Sequence, residues 1–418
     1  MQLVAYGAQD VYLTGNPKVT FFQAVYRRHT NFAMETIEQT VNGTAANSGR
    51  VSVTIARNGD LVSEMYVETK SKDGLATGTA AGKDACWVAE RAIKDVECSI
   101  GGQRIDKTYQ KFWRLYSELY LDESKKASWG KMTTAPATGG QVFLPLIFFF
   151  NRNPGLALPL IALQYHEVRL DFDLASDFQD YTDGSFKVWA NYIYLDTEER
   201  RRFAQKGHEY LIEQVQHTGV DSVTASGGEK QVRLSYNHPV KELVWALTDG
   251  SKNSHWNFTT KSGDTLTDGI IMESDVNSGV AVGAPALVPT SLSGVPMLKV
   301  DSTAVAFTEE AVGTVDTFKL VLNGQDRMKE QSGKYFNQVQ PFQHHTGSPY
   351  AGIYSYSFAL KPEEHQPTGT CNFSRIDNAQ VAIKTSAGNA TATNLHMFAI
   401  NYNVLRIQSG MGGLAFSN

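Results

Sequence analysis

Val96-Glu97-Cys98-Ser99-Ile100, running into Gly101-Gly102-Gln103-Arg104, is the stretch on which the fold reading turns. Apolar and polar side chains alternate along its first five residues, the period of a strand with one covered face. Two glycines then break the pattern and supply a turn that tolerates positive φ. About 220 positions later, Phe318-Lys319-Leu320-Val321-Leu322 does likewise and breaks into Asn323-Gly324-Gln325-Asp326-Arg327. An aromatic stretch follows each copy: Tyr109, Phe112 and Trp113 in the first, Tyr335 and Phe336 in the second. A strand, a glycine turn and an aromatic cluster recurring at half the chain length predict two tandem copies of one β-rich fold.

Bulk composition points the same way. A chain of 418 residues exceeds one ordinary core and fits two domains, read here as 1–205 and 206–418. The hydrophobic fraction of 42% suffices for burial, and 35 glycines favour a β-protein with many turns and long polar loops. A net charge of −5 argues against a nucleic-acid coat, which needs a basic face to displace counterions. Cys86, Cys98 and Cys371 are too few for a disulfide framework and read as small core hydrophobes in a reducing compartment. The first residues lack the basic head and apolar core of a secretory signal. The longest apolar run, 144–150, falls far short of the roughly 20 residues a membrane helix needs. The expectation is a soluble, non-secretory chain with no membrane insertion.

Strand signals dominate both halves. Residues 51–55 and 61–67 flank Asn58-Gly59, which predicts a hairpin closed by a type I′ turn. Val168, Leu170, Phe172 and Leu174 share one face, while Glu167, Arg169, Asp171 and Asp173 share the other. That predicts a half-buried strand with its carboxylates in solvent. Further strands are read at 186–195, 231–236, 240–247, 353–360, 379–383 and 396–407. Only one stretch reads as helical: Tyr109, Phe112, Trp113, Tyr116, Leu119 and Tyr120 recur at three- and four-residue intervals. It is placed in a loop of the first domain, over the end of that domain's sandwich. The charge run from Asp196 to Arg202 reads as the inter-domain connection, and 248–317 as long surface loops.

Longer blocks carry a resemblance. Gly7-Ala8-Gln9-Asp10-Val11-Tyr12-Leu13-Thr14-Gly15-Asn16-Pro17, then Val25-Tyr26-Arg27-Arg28-His29-Thr30-Asn31-Phe32-Ala33, open the chain. Pro154-Gly155-Leu156-Ala157-Leu158-Pro159-Leu160 and Gly369-Thr370-Cys371-Asn372-Phe373-Ser374-Arg375 follow, and Asn401-Tyr402-Asn403-Val404-Leu405-Arg406-Ile407 through Ala415 closes it. These resemble the major capsid proteins of large nucleocytoplasmic DNA viruses, above all those of Chlorella-type phycodnaviruses. Residues 248–317 show no family pattern. The resemblance implies an all-β double jelly roll, two tandem eight-stranded sandwiches, in a structural and non-enzymatic protein of the virion. It implies homotrimers with pseudo-hexagonal outline that tile an icosahedral shell, assembled in the host cytoplasm. Neighbouring capsomers and minor capsid proteins on the inner face would be the partners, with loops such as 248–317 facing outward. Trimerisation closes a ring through a heterologous interface, which stops runaway growth.

Individual motifs each have a plain reading beside the functional one. Tyr26, Arg27 and Arg28 form the compact basic patch, an inner-face contact or equally a set of solvated charges. Sequons occur at Asn42, Asn257, Asn372 and Asn389; covalent N-linked glycans are expected, with Asn389 first and Asn257 second. Asn372 reads as buried. His344-His345 lacks the spacing of a metal site, so no metal and no other cofactor is expected. Gly410-Met411-Gly412-Gly413 is followed by no helix and is not a phosphate cradle; no P-loop or nucleophile elbow is present. No catalytic residue is assigned. The alternatives weighed are a carbohydrate-binding jelly-roll attachment protein, a minor capsid paralogue and, more weakly, a glycosidase. A lectin needs exposed Trp or Tyr along a groove, whereas Trp87, Trp113, Trp189, Trp245 and Trp256 fall in core-like segments.

Overall fold

The computed structural model describes residues 7–18, 24, 26–75, 87–135, 139–248, 270–272, 298–300, 313–349, 352–387 and 392–416. In the first half the strands are β1 (Phe32–Gln39), β2 (Val41–Asn42), β3 (Arg50–Thr54), β4 (Leu61–Lys70), β5 (Ile93–Ile100), β6 (Gln103–Tyr109), β7 (Gln141–Pro145), β8 (Leu158–Pro159), β9 (Val168–Leu174) and β10 (Lys187–Leu195). In the second half they are β11 (His208–Gln216), β12 (Val220–Ser222), β13 (Glu229–Leu234), β14 (Pro239–Thr248), β15 (Ile270–Met272), β16 (Leu298–Val300), β17 (Val315–Leu322), β18 (Gln325–Asp326), β19 (Gln331–Ser332), β20 (Ile353–Ser357), β21 (Cys371–Asn372), β22 (Ala379–Thr385), β23 (Asn394–Gln408) and β24 (Met411–Leu414). The helices are α1 (Asp10–Thr14), α2 (Val88–Ala92), α3 (Gln110–Leu119), α4 (Glu123–Thr133), α5 (Phe149–Arg152), α6 (Phe178–Tyr181), α7 (Thr197–Gln205) and α8 (Gln340–His344).

Sheet order shows the duplication directly. The first half pairs β1-β10-β4-β7 in one sheet and β3-β9-β5-β6 in the other; the second pairs β11-β23-β14-β20 and β13-β22-β17-β18. Counting only these eight strands in chain order, both halves read first-eighth-third-sixth and second-seventh-fourth-fifth. Eight antiparallel strands wound this way make a jelly roll, so the chain is a double jelly roll. The repeated motif is the fourth-to-fifth strand hairpin of each copy. Ile100 pairs with Gln103 across Gly101 (φ 57°) and Gly102 (φ 82°); Leu322 pairs with Gln325 across Asn323 (φ 52°) and Gly324 (φ 75°). Two successive positive-φ residues make the type I′ geometry that a two-residue hairpin requires. The aromatic stretches then become helical in both copies, α3 after β6 and α8, preceded by a π-turn at Tyr335–Val339, after β19.

Several expectations are corrected. Asn58-Gly59 does not close a hairpin: β3 pairs with β2 and β9, β4 with β10, β7 and β8, so the chain crosses there between sheets. Gly59 is required by packing, since a Cβ would lie 2.8 Å from the Tyr192 Cβ. The charged connection folds as α7, with Asp196 accepting from the Thr197 N–H and Phe203 covering Leu61 and Ile193. Glu123–Thr133 is also helical, started by Asp122 accepting from Lys125 N. Asp171 is not solvated: its side chain is 9% exposed, held by Ser52 and Arg169 with Arg50 at 3.5 Å.

Candidate functional site

The two jelly rolls meet along a buried seam built from β14 and β23, strands with apolar residues on both faces. Leu243, Trp245 and Leu247 of β14 and Met397 and Ala399 of β23 fill the second sandwich. Val244 and Ala246, with Phe398 and Ile400, point the other way and join the apolar cluster of the first. Alternation thus places one sheet between two cores. Against its outer face lies α3, whose Phe112, Trp113, Leu115 and Leu119 belong to the first jelly roll's apolar cluster. The Phe398 ring packs 5.5 Å from Phe112, 5.9 Å from Tyr109 and 4.5 Å from His217.

Polar groups close the seam at its ends. Glu213 on β11 pairs with Arg152 of α5 at 3.1 Å and with Lys241 at 2.7 Å. Burial alone would raise the Glu213 carboxyl, but these cations hold it below the usual range, while burial lowers Lys241. Asp106 on β6 accepts from Lys107 N (2.8 Å) and, across the seam, from Val215 N (3.0 Å). Burial outweighs those bonds and pushes its carboxyl up to about 7. Glu242 accepts from the Tyr120 hydroxyl and meets His345 at its other oxygen. Gly347 sits against the end of α3, where a Cβ would come 2.5 Å from Glu118 O. Lys126 Nζ donates to Ser348 O at 2.8 Å.

The C-terminal hairpin β23–β24 straps the halves together from the far side. Tyr165 N donates to Gly410 O (2.9 Å), Gly412 N to His166 Nδ1 (3.1 Å) and Leu414 N to Gln103 Oε1 (3.1 Å). Arg57 shapes the receiving loop by donating to the carbonyls of Leu163, Gln164 and His166. A cavity of about 390 Å³ opens on the seam between Tyr116, Tyr120, Phe149, Arg152, Glu213 and Glu363. Across the seam the buried acids Glu213, Asp106 and Glu242 are each met by a group from the opposite jelly roll, an arrangement that clamps rather than reacts. Among the described residues no three His, Cys, Asp or Glu side chains gather as a metal site.

The sequence-assigned residues lie elsewhere. Tyr26, Arg27 and Arg28 are exposed, Tyr26 at 90%, just ahead of β1. Because Phe32 pairs with Leu195, that segment leaves the sheet at the corner where α7 begins. Asn389 and Asn257 fall outside the described residues, as does most of 248–317. Asn42 and Asn372 are exposed, which corrects the buried reading of Asn372; its side chain accepts from Ser374 N in a tight turn. The His345 side chain is buried, just past the end of α8. Glu213, Lys241, Glu242 and Arg152 belong to no sequence motif, although Lys241-Glu242 inside an otherwise apolar strand is a signal of buried charge.

A sequence model of the family described as large eukaryotic DNA virus major capsid protein matches residues 199–413, and one of the major capsid protein N-terminus matches 20–196. The chain belongs to this family. Over 100% of its length it is 44% identical to the major capsid protein of Paramecium bursaria Chlorella virus 1, covering 99% of that protein. It superposes on the PBCV-1 virus capsid protein with a TM-score of 0.78 at 39% identity, covering 96% of this chain and 100% of that one. The Faustovirus major capsid protein, at 12% identity and TM-score 0.67 over 96% and 94% of the two chains, shares the fold. The capsid protein is therefore a structural component of a large DNA virus shell, packed there against its neighbours.

Proposed function

We propose that three copies of this capsid protein close into a ring whose six jelly rolls imitate a hexagonal tile, and that such tiles cover an icosahedral shell. One observation carries this: two sandwiches of identical strand order are clamped side by side by a buried seam. A three-fold ring of such pairs presents six equivalent lobes, and ring closure limits growth. Neighbouring capsomers would meet at the tile edges. Exposed Tyr26, Arg27 and Arg28 with the N-terminal lead-in would contact minor capsid proteins on the inner face. N-linked glycans at Asn389 and Asn257 would decorate the outer loops, and assembly would take place in the host cytoplasm. The role is architectural and calls for no cofactor. The lectin alternative is disfavoured because Trp113 and Trp245 are 0% exposed and Trp87 is 3% exposed. Light scattering on the purified protein should give three times 46.1 kDa plus any glycan. A monomer or dimer at micromolar concentration would overturn the ring, and mass spectrometry of Asn389- and Asn257-containing peptides without added sugar would overturn the glycan assignment.

A further inference from the structure

One cluster on the seam has a chemistry that simple clamping does not require. The His345 and Glu242 side chains are both 0% exposed. His345 Nε2 meets one Glu242 oxygen, the Tyr120 hydroxyl donates to the other, and His345 Nδ1 lies 3.1 Å from Glu363 Oε1. Tyr120 ends α3 of the first jelly roll, whereas Glu242 lies on β14, His345 follows α8 and Glu363 follows β20 in the second. Around them stand Glu213 on β11, Lys241 on β14, Arg152 on α5, Tyr116 on α3 and His365, with Tyr402 of β23 beyond Lys241. Glu118 and Lys126 flank the same loop at Gly347 and Ser348.

An imidazole facing a carboxylate through each ring nitrogen must donate at both, and only the imidazolium carries two N–H groups. If one proton leaves, one carboxylate faces a lone pair. Glu363 can bear that loss, because it also accepts from Thr346 N and Thr346 Oγ1 and is 19% exposed. Either way the buried cation is gone, and the Glu242 side chain is left hydrogen-bonded only to a neutral phenol and a neutral imidazole. We propose that the His345–Glu242–Tyr120 cluster is a protonation-controlled latch, which holds α3 of the first jelly roll against the second while His345 is charged and releases it in alkali with both sandwiches still folded.

Burial alone would lower the His345 imidazolium, but Glu242 and Glu363 outweigh it and hold it up at about 9. A proton held more tightly in the folded state than at the ordinary value of 6.5 stabilises fully below that value and is lost as pH rises through about 9. Asp106, elsewhere on the seam, titrates near 7 and gives a separate, earlier step. Tyr120 ionises later still, because burial and Glu242 both raise it.

Hydrogen exchange on the whole capsid protein, corrected for the intrinsic rate at each pH, tests the latch. Peptides covering 110–126 and 345–349 should exchange about tenfold faster at pH 10 than at pH 7, a modest share of the shift's full weight. Peptides covering 168–174 should keep their protection. Glu242→Gln removes the charge that demands the proton and should flatten the profile; His345→Gln should flatten it at a raised rate. A wild-type seam equally protected at both pH values overturns the latch, even if neither variant folds. So does a Glu242→Gln protein that retains the wild-type transition.

Discussion

Truncating Phe398 to alanine should weaken the joint between the lobes more than anything else on β23. The ring is 0% exposed and stands between Phe112, Tyr109 and His217, all reaching it from the seam side. Removing a buried phenylalanine typically costs about 3–5 kcal/mol, the spread reflecting how far the site collapses. Phe112 supplies the partner ring from the other jelly roll, so Phe398→Ala, Phe112→Ala and the double variant form a cycle across the seam. A tilted pair at this separation should couple by about 0.5–1.5 kcal/mol. Equilibrium urea unfolding at fixed protein concentration, followed by tryptophan emission, gives all four stabilities. Strict additivity of the two single variants, or a cost below about 1 kcal/mol for Phe398→Ala, would refute a packed seam at this point.

Three further outcomes follow from the same geometry. Gly347→Val forces a side chain onto the carbonyls of Glu118, Leu119 and Leu121, 2.5 to 2.8 Å away, and should cost about 2 kcal/mol or more in thermal unfolding. Asp106→Asn keeps an oxygen for Val215 N but cannot ionise. Because the carboxyl sits at about 7, above its ordinary 3.8, its contribution is complete below 3.8 and lost as pH rises through 7. Wild type should therefore lose melting temperature relative to the variant between pH 4 and 7 and run parallel to it above; identical profiles would contradict this. Arg57→Ala deprives the 163–166 loop of three hydrogen bonds and should speed protease cleavage within 408–416, at a stability cost of about 1–2 kcal/mol.

What the sequence displayed was whatever one local period encodes. The hairpin at Gly101-Gly102 and its twin at Asn323-Gly324 were legible because a type I′ turn demands those residues. The β9 strand was legible because its apolar face alternates. Asn58-Gly59 misled, since its glycine answers a close approach by Tyr192 from 133 positions away in the chain, which no local pattern records. In α7 the signals were present, an Asp N-cap, two glutamates in the first turn and an arginine in the last, yet mixed charge concealed them. The seam stayed hidden for a different reason. Tyr120, Glu242 and His345 lie more than a hundred residues apart in sequence and are brought together only by the topology, and an apolar face on β14 does not name the surface that covers it.

Cryo-electron microscopy of purified, unassembled capsomers would be the most searching single measurement. The account predicts a three-fold particle with six lobes in a near-hexagonal outline, each pair of lobes fixed at one angle. Particles of another symmetry, or paired lobes that swing through many angles at neutral pH, would contradict it.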